Sequence, residues 1–410
     1  RSFEVGATNF VLAEVEGSIG WYPHARIPSR PWASYSQSDP GSSLPPWMPL
    51  PGDGSAEWDG YLDEEALPKA FDPPTGYIAT ANQDLTGETE SGDPTSGGPM
   101  LQSIPAPGIR MARIVEFLEA GGNDHTVESS LALQLDTHSL LGEWIVPRLL
   151  AAADEAELSP TAETMAEVLR RWEYSCPTGL SGSDPQSAPH ADEEVRREAQ
   201  GCAAFHVYLP RLMEAAFATR HAISGVGTWN ANHLVRPLVL GLFRPEELQQ
   251  SPEAFWSDLR EEPRTEEEVL VEALEAASLR MGPWGAPENW LWGRRHTVTF
   301  TTQFSQVEPS LDLGPFAAPG GLFTVNVANP SVSPAGGFAF SSGASLRIVN
   351  ELGEEGIVSW VQLPGGQDLH RDSPHYGDLI EDWLEGRSIR IPFKTEEVAL
   401  AAQATLRVGY

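Results

Sequence analysis

The spacing of apolar residues changes period twice along this chain, and that change restricts the fold more than any single motif. Near the start the residues alternate, which predicts two strands over residues 10–15 and 19–22 with Glu16-Gly17 as the hairpin turn. From Arg110 the period becomes helical: Met111, Ile114, Val115 and Leu118 share one face until Gly121-Gly122. Further helices are expected over residues 126–141, continuing or restarting through 144–153, and over 192–217 with a kink at Pro210. Ser159-Pro160 supplies an N-cap and a first-turn proline ahead of Met165, Val168, Leu169 and Trp172. Thr265 and Glu268 form a capping-box pattern before residues 270–279. Strand signals return at residues 296–300, 321–328, 344–350 and 356–361, with a last helix over 373–384. Strands, then helices, then strands describe an α+β protein with a sizeable antiparallel sheet. The chain accordingly divides into a sheet and loop region (1–109), a mainly helical region (110–292) and C-terminal strands with a helix (293–410).

Charge excludes some partners. The formal net charge of −32 over 410 residues would repel nucleic-acid phosphates and an anionic membrane surface alike. No apolar run approaches the roughly 18–20 residues that span a bilayer. Cys176 and Cys202 bracket an insert rich in Ser, Gly, Asp and Pro. A disulfide there would contribute roughly 3–4 kcal/mol by chain entropy, and two unpaired thiols are the alternative. Residues 23–58 hold many Pro, Ser and Gly and read as an irregular excursion, with Trp32, Tyr35, Trp47 and Trp58 as its anchors. A short helix is expected over 63–71. His370 and His375 show no zinc spacing and read as structural or exposed, and no Gly-rich phosphate loop follows a strand.

One stretch carries candidate chemistry. In TGYIATANQ (residues 75–83) a strand-like pair, Tyr77 and Ile78, leaves a Pro-Pro-Thr-Gly turn and runs to the carboxamide of Asn82. A polar loop follows, then Arg110 at a helix start. If that loop folds back, amide and guanidinium converge. A carboxamide N–H so placed can donate to the oxygen that becomes negative during attack on an amide. A loop asparagine can equally do no more than satisfy a turn.

Several blocks, in order, resemble the β-subunit of the penicillin acylase family: NFVLAEVEGSIGWYPHARIPSRP (9–31), MPLPGDGSAEWDGYL (48–62), PPTGYIATANQ (73–83), GASLRIVNELG (343–353), LPGGQ (363–367) and SPHYGDLIEDWLEGR (373–387). The resemblance implies part of the four-layer αββα sandwich of N-terminal-nucleophile hydrolases, with an inserted helical region. It further implies that the α-subunit and the start of the β-subunit, with its serine nucleophile, lie outside this chain. The opening Arg1-Ser2-Phe3, strand-like at once, fits a piece of a larger polypeptide, and Ser2 matches a mid-chain strand rather than a nucleophile. Members of the family cleave a linear amide with a serine freed by self-processing, whose α-amino group, of reference pKa near 8, takes the proton. Asn82 matches the family's oxyanion asparagine through the pattern GYIA-x-x-N, and Arg110 matches the arginine that orients it.

No catalytic cofactor is implied. A structural calcium is, with the Pro46 carbonyl and Asp93 as candidate ligands. The expected substrate is a small acyl amide (a penicillin, an N-acyl-homoserine lactone or a lipopeptide), with neither nucleic acid nor a membrane span, in a periplasmic or secreted protein. A non-catalytic relative or fragment serving as a binding or scaffold module is the alternative. Asp368-Leu369 departs from the Ser-Gly that relatives often carry after the LPGGQ block.

Overall fold

Alternating residues near the N-terminus close into the expected hairpin in a computed structural model that describes residues 7–34, 44–46, 49–85, 105–122, 124–224, 229–248 and 250–402. β1 (Thr8–Ala13) and β2 (Ile19–His24) pair antiparallel with Val11 opposite Trp21, and Gly17 turns the chain at φ +99°. β3 (Ala70–Phe71) adds to β2. Asp72 locks this corner at φ +43°: its carboxylate accepts the Ile19 N–H at 2.8 Å and the Ser18 hydroxyl at 3.2 Å. The helix expected over 63–71 is a single 3-10 turn, Glu64–Ala66, before β3. Pro68 explains this, since it disfavours helical backbone at Leu67 and offers no N–H. Trp32 does pin the excursion, donating its indole N–H to the Glu57 carbonyl at 2.7 Å. Trp58 is 60 % exposed and meets the Arg30 guanidinium and the Tyr61 ring at the surface, and Tyr35 and Trp47 lie outside the described residues.

The helices begin with α1 (Ile109–Gly121), stopped by Gly122 at φ +55°. The helix expected over 126–141 breaks into α2 (Val127–Gln134) and the start of α3 (Leu140–Asp154). The Asp136 carboxylate takes the His138 N–H at 2.6 Å, and Ser139 then caps α3, so local side chains outcompete the helix ladder. α4 (Pro160–Arg170) starts at the Ser159 cap, and α5 (Glu193–Ser224) runs on through Pro210. α6 (Ala231–Phe243), α7 (Pro252–Trp256) and α8 (Glu266–Met281) follow, the last behind the expected capping box.

β4 (Thr297–Phe300) pairs with β5 (Leu313–Ala317), and β6 (Ala328–Asn329) with β7 (Ser342–Gly343). β8 (Arg347–Gly353), β9 (Gly356–Gln362) and β10 (Ile389–Ile391) form an antiparallel sheet in the order β10-β9-β8. α9 (Ile380–Glu385) and α10 (Thr395–Ala401) complete the described chain. Two expectations fail here. The run 321–328 is a buried turn, with Phe323 at φ +61° and the Thr324 hydroxyl taking the Gly321 N–H, and only Ala328 joins a strand. The helix over 373–384 contracts to α9, its first half being turns around Pro374 and Gly377.

The chain folds as two compact units, one of Arg1–Glu119 with Ala231–Ser251, the other of Ala120–Asn230 with Pro252–Tyr410. In the second, α5 packs on α4 and α8, and α8 also covers α3 and α4. Leu141, Ile145 and Leu149 of α3, Met165 and Leu169 of α4, Phe205, Leu209, Leu212 and Met213 of α5 and Leu274 of α8 are all almost completely buried. Trp172 sits against two helical glycines: a Cβ at Gly142 or Gly201 would lie 2.6 or 2.2 Å from its side chain. Cys176 and Cys202 are joined, with 5.2 Å between their Cα atoms, and both are buried. Among the described residues no helix is long and apolar enough to cross a membrane.

Candidate active site

The Asn82 loop begins where the Pro-Pro-Thr-Gly turn ends, the Gly76 N–H closing on the Pro73 carbonyl at 2.9 Å with Gly76 at φ +75°. Tyr77 and Ile78, expected to be strand-like, are irregular backbone with no ladder partner among the described residues. Two strand-forming side chains are too few to hold a strand without a neighbour to pair with. Asn82 itself is exposed and takes the left-handed conformation at φ +63°, a region in which asparagine is among the few tolerated side chains. Its carbonyl accepts the Ala106 N–H at 2.8 Å, and Gln83 forms an isolated parallel bridge with Ala106. The chain is therefore back beside the asparagine at Ala106.

Arg110, in the first turn of α1, reaches this loop. One terminal nitrogen of its guanidinium donates to the Asn82 side-chain oxygen at 2.6 Å and to the Ala81 carbonyl at 2.9 Å. Both residues belong to the first unit. A guanidinium has no acceptor, so it fixes which end of the amide faces it. The Oδ1 of Asn82 turns inward and the Nδ2, with two protons, turns away from the arginine. Burial lowers the Arg110 pKa from the ordinary guanidinium value, and the group remains charged at neutral pH. Among the described residues no carboxylate pairs with it. A second tie joins loop and helix: the Tyr77 hydroxyl donates to Glu119 at 3.3 Å. Burial foremost, then the Glu119 charge, raise the Tyr77 pKa.

The remaining candidate residues do not gather here. Pro46 is half-buried in a turn just past the isolated bridge between Ser34 and Leu44, and Asp93 lies outside the described residues. A single carbonyl falls short of the roughly six to eight oxygens a calcium ion takes. Among the described residues the one three-ligand group is Cys176, Cys202 and His206, whose sulfurs are joined to each other rather than free as thiolates. Asp368, where the sequence departs from its resemblance, forms a self-contained surface turn. It accepts the His370 backbone N–H and contacts the ring nitrogen, both at 2.9 Å, which holds its pKa below the usual carboxylate range. His370 and His375 are both exposed. Sequence reading missed Gln83, whose side-chain oxygen accepts the Ala81 N–H at 2.6 Å. Only the polar character of the residue after Asn82 pointed that way.

Residues 1–400 match the family model described as Penicillin amidase. The chain is 27 % identical to a penicillin acylase 2 proenzyme of Pseudomonas sp. (strain SE83), over 96 % of this chain and 45 % of that protein. It is 26 % identical to the acyl-homoserine lactone acylase QuiP of Pseudomonas putida, over 98 % of this chain and 46 % of that one. It thus spans about half the length of the curated relatives it matches. In three dimensions it resembles a thermostable penicillin G acylase from Alcaligenes faecalis, with a TM-score of 0.63 at 17 % identity, covering 98 % of this chain and 67 % of that one. That likeness establishes the mixed helix-and-sheet fold of an N-terminal-nucleophile hydrolase. Sequence blocks, an agreement running from end to end and a shared fold converge on one assignment: the chain belongs to the penicillin amidase family.

Proposed function

We propose that this chain is part of an acylase that hydrolyses a linear amide, with Asn82 donating to the tetrahedral oxyanion and Arg110 holding Asn82 in register. The observation that carries the reading is the 2.6 Å bond from Arg110 to Oδ1, because it leaves Nδ2 as the outward donor. The nucleophile in this reading is a serine at the N-terminus of a processed segment outside this chain, with its own α-amino group as base. It attacks the carbonyl, Nδ2–H and a backbone N–H stabilise the oxyanion, and the amine departs with the proton. The Arg110 charge behind the amide polarises it and strengthens its N–H as a donor.

Asn82 is exposed in this chain alone, and a donor surrounded by water stabilises an oxyanion weakly. The reading therefore requires substrate and a further segment of the protein to cover the loop. β1 independently suits such a cover, for this edge strand leaves Phe10, Val11 and Leu12 each about half exposed. Substrates proposed are penicillins or N-acyl-homoserine lactones, by analogy with the relatives' names, with lipopeptides added from the sequence resemblance. A buried disulfide favours an oxidising compartment, periplasmic or extracellular.

The test is Asn82→Ala in the complete protein, assayed against phenylacetyl, short-chain and long-chain acyl amides. Turnover should fall at least about a hundredfold with folding and processing intact, the usual loss when an oxyanion donor is removed. Near-normal turnover would remove Asn82 from this role and favour a non-catalytic binding module.

A further inference from the structure

We infer that Gln83 is a positioning residue for the oxyanion donor, acting through the backbone on either side of Asn82; this rests on the reading of Asn82 given above. The left-handed turn at Asn82 brings the side chain of residue 83 back over the Thr80–Ala81 peptide. There the Gln83 Oε1 accepts the Ala81 N–H at 2.6 Å. Ala81 is 6 % exposed, so that N–H has little access to water, and losing its acceptor would leave a buried donor unsatisfied.

The same short stretch is held from two other directions. The Ala81 carbonyl takes the Arg110 guanidinium at 2.9 Å, and the Asn82 carbonyl takes the Ala106 N–H at 2.8 Å. Gln83 thus holds the Thr80–Ala81 peptide, whereas Arg110 and Ala106 hold the two carbonyls that follow it. Left-handed backbone is uphill for asparagine by roughly 1 kcal/mol and persists where its surroundings over-determine it. Without Gln83 the Thr80–Ala81 peptide is released, and the backbone leading into Asn82 can relax. The carboxamide would then keep its chemistry while losing its aim.

The distinguishing experiment is a double-mutant cycle in the complete protein, using p-nitroanilides of phenylacetic, butyric and dodecanoic acid as probes. Gln83→Leu keeps the bulk and removes the acceptor. It should lower kcat about tenfold with little change in KM, as expected when an aligned group is displaced by a fraction of an ångström. In an Asn82→Ala background the same substitution should change kcat by less than about twofold, because its target is gone. Equal losses in both backgrounds would make Gln83 merely structural and overturn the inference. If Asn82→Ala itself leaves turnover intact, the oxyanion reading fails first. If Asn82→Ala is crippled and Gln83→Leu is not, only the Gln83 role fails. A crystal structure of the Gln83→Leu protein, or of Gln83→Met should the first not fold, gives an independent decision. Unchanged φ at Asn82 with the Arg110 bond intact would overturn the inference whatever the rates.

Discussion

The helical core of the second unit and the Asn82 loop of the first are stabilised by different means. In the core, shape does the holding: α3, α4, α5 and α8 bury Leu141, Ile145, Met165, Phe205, Leu212 and Met213 almost completely, and a tryptophan fills the space left by two glycines. In the loop, a few directed hydrogen bonds hold an exposed carboxamide in left-handed backbone. A core fixed by many weak contacts tolerates no change of volume but ignores chemistry at its surface. A loop fixed by few strong contacts can be re-aimed by one substitution at little cost in stability. The difference is the one expected between a packed framework and a loop that carries candidate chemistry.

The largest expected effect tests the scaffold. Trp172→Ala would empty the slot against Gly142 and Gly201 and also remove an indole that donates to the Ser175 carbonyl at 2.7 Å. Thermal and denaturant unfolding should register a loss of about 3–5 kcal/mol. Activity measured well below the new Tm should change by less than twofold; a matching loss of activity would break the separation between core and loop.

Acid comes next. His206 donates from Nδ1 to the Cys202 carbonyl and accepts the Leu322 N–H at Nε2, while His296 donates from Nδ1 to the Phe338 carbonyl. Trp292 stacks between the two rings. Burial foremost lowers His206 to about 4 and His296 to about 3. Both are neutral in the fold and take up protons near pH 6.5 once unfolded. Their contribution is therefore complete above about pH 6.5 and is lost as pH falls toward 4 and 3. For His206 alone the loss is about 3 kcal/mol. Melts at pH 7.5, 5.5 and 4.5 should show Tm falling steeply across this window. A flat profile would mean that neither imidazole is held neutral by burial.

What could be read from the sequence follows the range of the forces involved. Helix starts at Ser159-Pro160 and Thr265/Glu268 were legible because a cap is satisfied within three residues. The hairpin between β1 and β2 was legible for the same reason, its turn lying within the motif. The run 321–328 misled because its alternation reflects burial beside His206, a contact made across 116 residues of chain. Residues 126–141 misled because Asp136 and Ser139 divert backbone groups that periodicity assigns to a helix. Asn82 and Arg110 were singled out by resemblance, and their approach across 28 residues is visible only in three dimensions. Gln83 was hidden because its bond to Ala81 exists only once Asn82 has turned left-handed.

A smaller effect probes the loop from the helix side. Arg110→Met keeps an unbranched side chain of similar reach and deprives both Asn82 Oδ1 and the Ala81 carbonyl of their donor. Asn82 is then free to present either end of its amide outward. A tenfold to hundredfold loss in kcat is expected, about 1.4–2.7 kcal/mol, with Tm nearly unchanged. Arg110→Lys should recover part of it, since an ammonium still donates but from a different position. Full activity in Arg110→Met would show that the loop holds its aim without the guanidinium.

The smallest effect marks where the scaffold's influence ends. Thr265 caps α8 by accepting the Glu268 N–H at 3.2 Å, and the Glu268 carboxylate returns to the Thr265 N–H at 2.8 Å. Thr265→Ala removes half of this reciprocal pair and leaves one first-turn N–H to water, which costs about 1 kcal/mol. The helix itself should persist, because Val269, Leu270, Ala273 and Leu274 keep its buried face in place. Circular dichroism should therefore be unchanged while Tm drops by a few degrees, about 2–4 °C for a domain of this size. Turnover at 25 °C should stay within twofold of wild type. A larger loss of activity than of stability would mean that the register of α8 reaches the Asn82 loop, and the two regions would have to be treated as one mechanical unit.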